Sequence, residues 1–367
     1  KSLSLVVLSL FKKSDNQAVR AASALSLGHL GSDAPQAIPM LIQALEAEHP
    51  DLRVSSATAL ANLAPSDQAL PVLLKAQKSE TMPTVKVAIM TAMFNNSPKE
   101  RRVVTALLDD AKSRHSSVRK SSLRLLGQMP WARERSIPVL IESLKNDRAA
   151  DVRLAAADSL GALKASDKTA IATLISATGS EDNSVRARAV MALGSIGPKA
   201  KSSVPDLLKL IEGKNKWLAS TACAAVGQID PKNEKVIETL IGVLQEKDWR
   251  LHLEATRSLS HAGPLAKRAV PGLIRILQQP APRRRDRGPD PLQLQTVLTL
   301  GEIGPDAKAA IPQSKALGMK YGSPYFQKIG YPFRVLEALK KIDAKTAREF
   351  ESELKKTTES RPRRSRK

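Results

Sequence analysis

The chain has 367 residues, with 58 Lys and Arg against 36 Asp and Glu, and a formal charge of +22. A single cysteine excludes a disulfide framework, and no apolar run of about 18 residues exists to form a membrane-spanning helix. The excess of positive charge leaves nucleic acid, an anionic surface or an acidic protein as partners of the right sign.

Residues 1–13 open with Ser2-Leu3-Ser4-Leu5-Val6-Val7-Leu8-Ser9-Leu10-Phe11, a predicted helix. A signal peptide is a poor reading, because no small-residue cleavage site follows and Lys12 and Lys13 lie on the wrong side. The segment is read as a truncated half-repeat. The chain is thus expected to begin mid-repeat and, lacking an initiator Met, to be a fragment or a trimmed mature chain.

From residue 14 one pattern returns nine times. Its opening apolar residue is Val19, Leu52, Val85, Val118, Val152, Val185, Leu218, Leu251 and then Leu292, and the first eight copies stand 33 or 34 residues apart. A fixed period of this length is the signature of a solenoid. Within the copy at Val185, the apolar positions Val185, Ala189, Ala192, Leu193 and Ile196 form one helical stripe. Asp15, Asp51, Asp151, Asn183 and Pro291 precede or open these helices as start signals. Gly31, Gly197, Gly263 and Gly304 suit left-handed caps at their ends. Pro39, Pro138, Pro205, Pro271 and Pro312 each stand 20 residues after the opener, and Pro71 stands 19 after it; all are expected in the first turn of a second helix. Small residues such as Ala155, Ala156 and Ala157 allow close packing of one unit on the next, which alone can bury the stripe.

These residues resemble HEAT repeats: Val-Arg, then Leu-Gly and Ile-Gly, then Pro at the head of the second helix. The short, phycobilisome-lyase-like type is the most similar. The resemblance covers residues 14–320 and implies an all-α, right-handed superhelix of about nine two-helix repeats. Repeats 1–8 occupy 14–279 and repeat 9 occupies 292–320. It leaves function open, since such repeats serve as scaffolds, chromophore lyases, a hydroxylase and DNA glycosylases. Short Ala/Leu-rich arrays of this kind look bacterial.

Between repeats 8 and 9 the spacing widens to 41, adding a basic Pro/Arg loop over 280–291 with Arg283, Arg284, Arg285 and Arg287. Residues 321–356 hold an aromatic segment and capping helices. Tyr321, Tyr325, Phe326, Tyr331 and Phe333 are read either as a plug on the solenoid end or as a partner-binding patch. A basic tail over 357–367, with Arg363, Arg364 and Arg366, is expected to be disordered.

Second-helix positions expected at the surface include Lys75, Lys112, Lys145, Lys209 and Arg275, candidate contacts for an anionic partner. Glu46, Asp109, Glu142 and Glu212 interrupt these rows, so the mixed sign argues against a continuous phosphate track. The residue after each opener is Arg20, Arg53, Lys86, Arg119, Arg153, Arg186, Ala219, His252 or Gln293. The resemblance implies that this arginine holds neighbouring units together. Its loss in the last three units predicts a local change in stacking there, or a kink.

No catalytic motif emerges. The five histidines form no His-Glu dipeptide, Cys223 has no local His, and no nucleophile elbow or phosphate loop occurs. Trp131, Trp217 and Trp249 do not occupy equivalent repeat positions, which weakens a glycosylase reading. The reading is therefore a non-catalytic, monomeric scaffold that binds a protein partner, an acidic one included, through concave or edge surfaces, with no metal or cofactor implied. A nucleic-acid-binding module using the loop and tail is the alternative, and a HEAT-like lyase or glycosylase a further one. A lone cysteine leaves the compartment open.

Overall fold

The computed structural model describes residues 2–279, 290–321 and 330–359. All the regular elements among them are helices. The chain divides into two compact units, 1–192 and 193–367.

In the first unit, the helices Gln17–Leu30, Pro50–Leu63, Pro83–Asn96, Ser116–Gly127 and Ala150–Ala162 open successive repeats. Each packs against the next. Their partners are Ile38–Ala44, Ser66–Ser79, Arg101–Asp110, Arg133–Asn146 and Lys168–Ala177. The two kinds are called A and B helices below. Ser2–Lys13 precedes the first A helix as a B-like element. In the second unit the A helices Lys216–Ile229, Trp249–Ala262 and Pro291–Ile303 alternate with the B helices Val204–Ile211, Glu234–Val243, Val270–Gln278 and Ile311–Lys320. Tyr331–Ile342 and Ala344–Glu359 close the chain.

Close A-to-A packing has a specific residue behind it. Gly161 in Ala150–Ala162 would place a Cβ 2.9 Å from Ala192 Cα in the next A helix, Asn183–Ile196, a contact no real side chain makes. Gly28 faces Ala59, and Gly301 faces Ala338, in the same relation. The Gly of the Leu-Gly pair therefore serves contact between repeats rather than capping. The later glycine is the cap: Gly31, Gly197, Gly263 and Gly304 all have positive φ. At the equivalent position of the fifth repeat stands Lys164, with φ 49°.

Several expectations shift. Pro39, Pro205, Pro271 and Pro312 do lie in the first turn of a B helix. Pro71 and Pro138 lie inside Ser66–Ser79 and Arg133–Asn146. Residues 66–70 and 133–137 are already helical there, so the ring removes one backbone donor from the helix interior. The caps that accept backbone N–H groups at A-helix starts include Asn16, Asn215, Asp248 and Asp290. Asp51 and Asp151 instead sit in the first turn, where a negative charge still complements the helix dipole. Pro291 is the first residue of its helix rather than the end of a loop. The last helix runs through Glu359, past the expected end at residue 356, because nothing among Thr357, Thr358 and Glu359 stops it.

Arg283, Arg284, Arg285, Arg287, Tyr325, Phe326, Arg363, Arg364 and Arg366 lie outside the described residues. Of the other aromatics, Tyr321 and Tyr331 are buried with Val335, Leu339 and Phe350 in one cluster. Their rings meet edge to face at 5.0 Å, a favoured quadrupole geometry. Phe333 is 59% exposed.

Candidate interaction surface

The residue after each opener forms an internal ladder. In the second repeat, Arg53 Nη1 donates to the carbonyls of Ala47 and Glu48, each at 2.8 Å, while Nε reaches Glu80 at 2.8 Å. In the fourth, Arg119 Nη1 donates to Ser113 O at 2.9 Å. Its Nε and Nη2 hold Asp147 in a two-pronged pair at 2.6 and 2.7 Å. Arg153 continues by donating to Asp147 O at 2.7 Å. Arg53 and Arg119 thus tie the turn before their A helix to the turn after their B helix, while Arg153 binds only the turn before its own. The guanidinium suits this because its five donors can serve carbonyls and a carboxylate together. Burial pushes the Asp147 carboxyl up, but hydrogen bonds from Arg119 and the Ala149 N–H outweigh it and hold the group below its usual range.

Substitution does not abolish the contact. His252 Nε2 donates to Glu246 O at 2.6 Å, and Gln293 Nε2 donates to Gln279 O at 3.1 Å. Each of these two side chains still donates to a carbonyl just after the preceding B helix. Ala219 alone of the three lacks a donor. Lys86 approaches Asp110 at 3.5 Å, which also accepts from Gln77 Nε2 at 2.7 Å. Burial dominates at Asp110 and leaves its carboxyl above the usual range despite these partners.

With the ladder cations spent inside, the outer residues of the B helices remain. Lys75, Lys112, Lys145, Lys209 and Arg275 are all exposed, as are the interrupting Asp109, Glu142 and Glu212. Lys75 pairs with Glu46 at 2.9 Å and Lys209 with Asp206 at 3.2 Å. Among the described residues Lys112, Lys145 and Arg275 make no ion pair. Clefts separate successive B helices in the first unit. One of about 580 Å³ is lined by Glu46, Arg53, Lys75 and Glu80. The next, of about 540 Å³, is lined by Lys78, Arg102, Asp109, Asp110 and Lys112. A third, of about 500 Å³, carries Lys145, Arg153, Ser176 and Glu181. Each wall offers both signs of charge and apolar stems.

Other candidate chemistry is less well placed. Cys223 is fully buried, and burial pushes its thiol up to about 12, far from a reactive thiolate. Among the described residues no three His, Cys, Asp or Glu side chains gather as metal ligands, and no helix is long and apolar enough to cross a membrane. Trp217 and Trp249 are exposed at A-helix starts, while Trp131 is exposed at a turn between an A and a B helix. The rows chosen from sequence omit these turns, although Lys164 in a glycine position was a signal available there.

The HEAT-repeat family pattern matches residues 5–93, 137–226 and 204–288. No curated protein matches. Among solved structures, yeast importin-β (Kap95p) superposes with a TM-score of 0.62 at 13% identity, covering 93% of this chain and 52% of that one. A structure of Kap95p with RanGDP gives a TM-score of 0.69 at 13% identity, covering 97% and 54%. Kap121p gives 0.52 at 14% identity, covering 96% and 46%. The chain spans about half the length of these proteins, and at this identity the likeness concerns the helical solenoid fold.

Proposed function

The chain belongs to the HEAT-repeat proteins, and from that premise we propose that it is a non-catalytic scaffold that binds a protein partner along its B-helix surface. The observation that carries this reading is the exposed row of mixed sign, with clefts of about 500–580 Å³ between the helices. Protein surfaces present both charges and apolar stems, so alternating acids and bases can each find a complement. In the first unit a phosphate backbone would meet Asp109 and Glu142 as repulsion. The structural neighbours include Kap95p in a complex with Nup1, which lends the scaffold reading support by analogy of fold alone.

Cross-linking mass spectrometry of the chain in its native cells tests it. The expected result is partner peptides attached at Lys75, Lys112, Lys145 or Lys209, lost when Lys112 and Lys145 are changed to Glu. Tight binding of random DNA or RNA that weakens steeply with salt, with no such cross-links, would overturn it. The nucleic-acid alternative rests on Arg283–Arg287 and the tail. Truncation after Ser360 with Arg283, Arg284, Arg285 and Arg287 changed to Ala isolates it.

A further inference from the structure

The A-to-B turns of the first unit change sign along the stack. The first two carry Asp33 and Asp67 with no Lys or Arg between residues 31 and 37 or between 64 and 68. The next three carry Lys99, Arg101, Arg135, Lys164 and Lys168, all exposed. Two carboxylates in this stretch have local duties. Glu100 accepts from Arg102 N at 3.2 Å and pairs with Arg102 Nε at 3.3 Å, and Asp167 caps Ala170 N at 2.9 Å. Lys99, Arg101, Lys164 and Lys168 consequently make no ion pair among the described residues.

Contacts bind the three turns into one continuous edge. Trp131 Nε1 donates to Pro98 O at 3.0 Å, which pins an indole that is still 44% exposed. Arg133 Nη2 donates to Lys164 O at 3.3 Å. Arg135 Nη2 donates to Thr105 Oγ1 at 3.1 Å. Lys164 keeps a left-handed backbone at φ 49°, where four other repeats use glycine. A side chain held at such a position at a cost in local energy points to a use for that side chain.

From this edge we infer a docking site for an acidic, extended peptide segment of a partner protein, seated on the turns of repeats three to five beside Trp131. The inference rests on the scaffold reading and names a second surface for it. The chemistry favours carboxylates: arginine forks match them two-pronged, and a fixed indole anchors an apolar neighbour. Three units stacked about 10 Å apart span about 20 Å, which about six extended residues bridge at roughly 3.3 Å each. Such a peptide can set neutral residues opposite Glu134 and the two capping acids. A nucleic-acid strand, with a charge every 3.4 Å or so, cannot.

The test uses fluorescence anisotropy with two labelled probes, a peptide of alternating Glu and Gly with a central Phe, and oligothymidine. The full chain is compared with Arg101→Glu/Arg135→Glu/Lys168→Glu, with Trp131→Ala and with Lys164→Gly. A control triple, Lys214→Glu/Lys247→Glu/Lys345→Glu, reverses the same charge at exposed positions outside both the turn edge and the B-helix row. The turn-edge triple is expected to weaken the peptide by about tenfold or more, Trp131→Ala and Lys164→Gly by a few-fold, and the control triple by less than about twofold. Equal loss in both triples means unspecific attraction and overturns the site. Tighter binding of oligothymidine than of the peptide, lost in the turn-edge triple, overturns the peptide in favour of nucleic acid. No binding of either probe also overturns it. The B-helix cross-links test the scaffold itself, so the two failures are separable. All the exchanged charges are exposed, and matching circular-dichroism melts show that the variants remain folded.

Discussion

The two ends of the helices in the first unit treat the same cations in opposite ways. At the B-to-A end, Arg53 and Arg119 are nearly buried, with side chains 13% and 10% exposed, and spend their donors on carbonyls and on Glu80 and Asp147. At the A-to-B end, Arg101, Lys164 and Lys168 stand in solvent without an acid. The first set holds repeats together and the second is available to a partner. A formal charge of +22 counts both alike, so charge becomes evidence about binding only after the internal pairs are set aside.

The largest effect expected from this contrast is at Arg119. Arg119→Ala leaves Asp147 buried without its partner and uncaps Ser113 O, which should cost about 3–5 kcal/mol in urea unfolding. The same change at Arg101 should alter stability by less than about 0.5 kcal/mol; a comparable loss there would erase the distinction between the two ends. Next in size is His252→Ala, which removes the donor to the Glu246 carbonyl and should cost about 1–3 kcal/mol. His252→Gln should restore much of that, as Gln293 does in the following repeat.

Acid titration sharpens the comparison further. Asp147 and Glu80 are held low because Arg119, Arg53 and backbone N–H groups outweigh burial. Their contribution is complete above a pH of about 4 and is lost as pH falls through the lower folded-state values. Asp110 is raised by burial, so it acts in reverse, and stability falls as pH rises from its ordinary range to its folded value. Thermal melts between about pH 2 and 6 should show Arg119→Ala flattening the acid limb. Asp110→Asn should remove the loss on the alkaline side. A smaller effect than at Arg119 or His252 is expected at Lys164→Gly, a gain of about 0.5–1 kcal/mol from relief of the left-handed backbone. A loss of stability there would mean that Lys164 is held by folding rather than by use.

Much of this was legible in the chain itself. The 33- or 34-residue spacing of Val19 through Leu251 set the helix pairs, the small residues marked close packing and Gly31, Gly197, Gly263 and Gly304 marked caps, whereas the contact made by the Leu-Gly glycine emerged only in the structure. Such features are local or periodic, so one chain repeats them until they stand out. Pro71 and Pro138 were misplaced because a helix start depends on the residues before the proline as well as on its own ring. His252 and Gln293 looked like breaks in the arginine ladder because residue type hides what a side chain can reach.

By itself, the sequence determined a stack of two-helix repeats, its period, its small-residue contacts and its positive charge, since each follows from spacing and chemistry along one chain. Only the tertiary structure decided which cations are consumed. Arg119 meets Asp147 across 28 positions, and Trp131 meets Pro98 across 33. Burial and pairing depend on the neighbouring repeat, and that dependence turns equal charges into a ladder at one end of the helices and an open edge at the other.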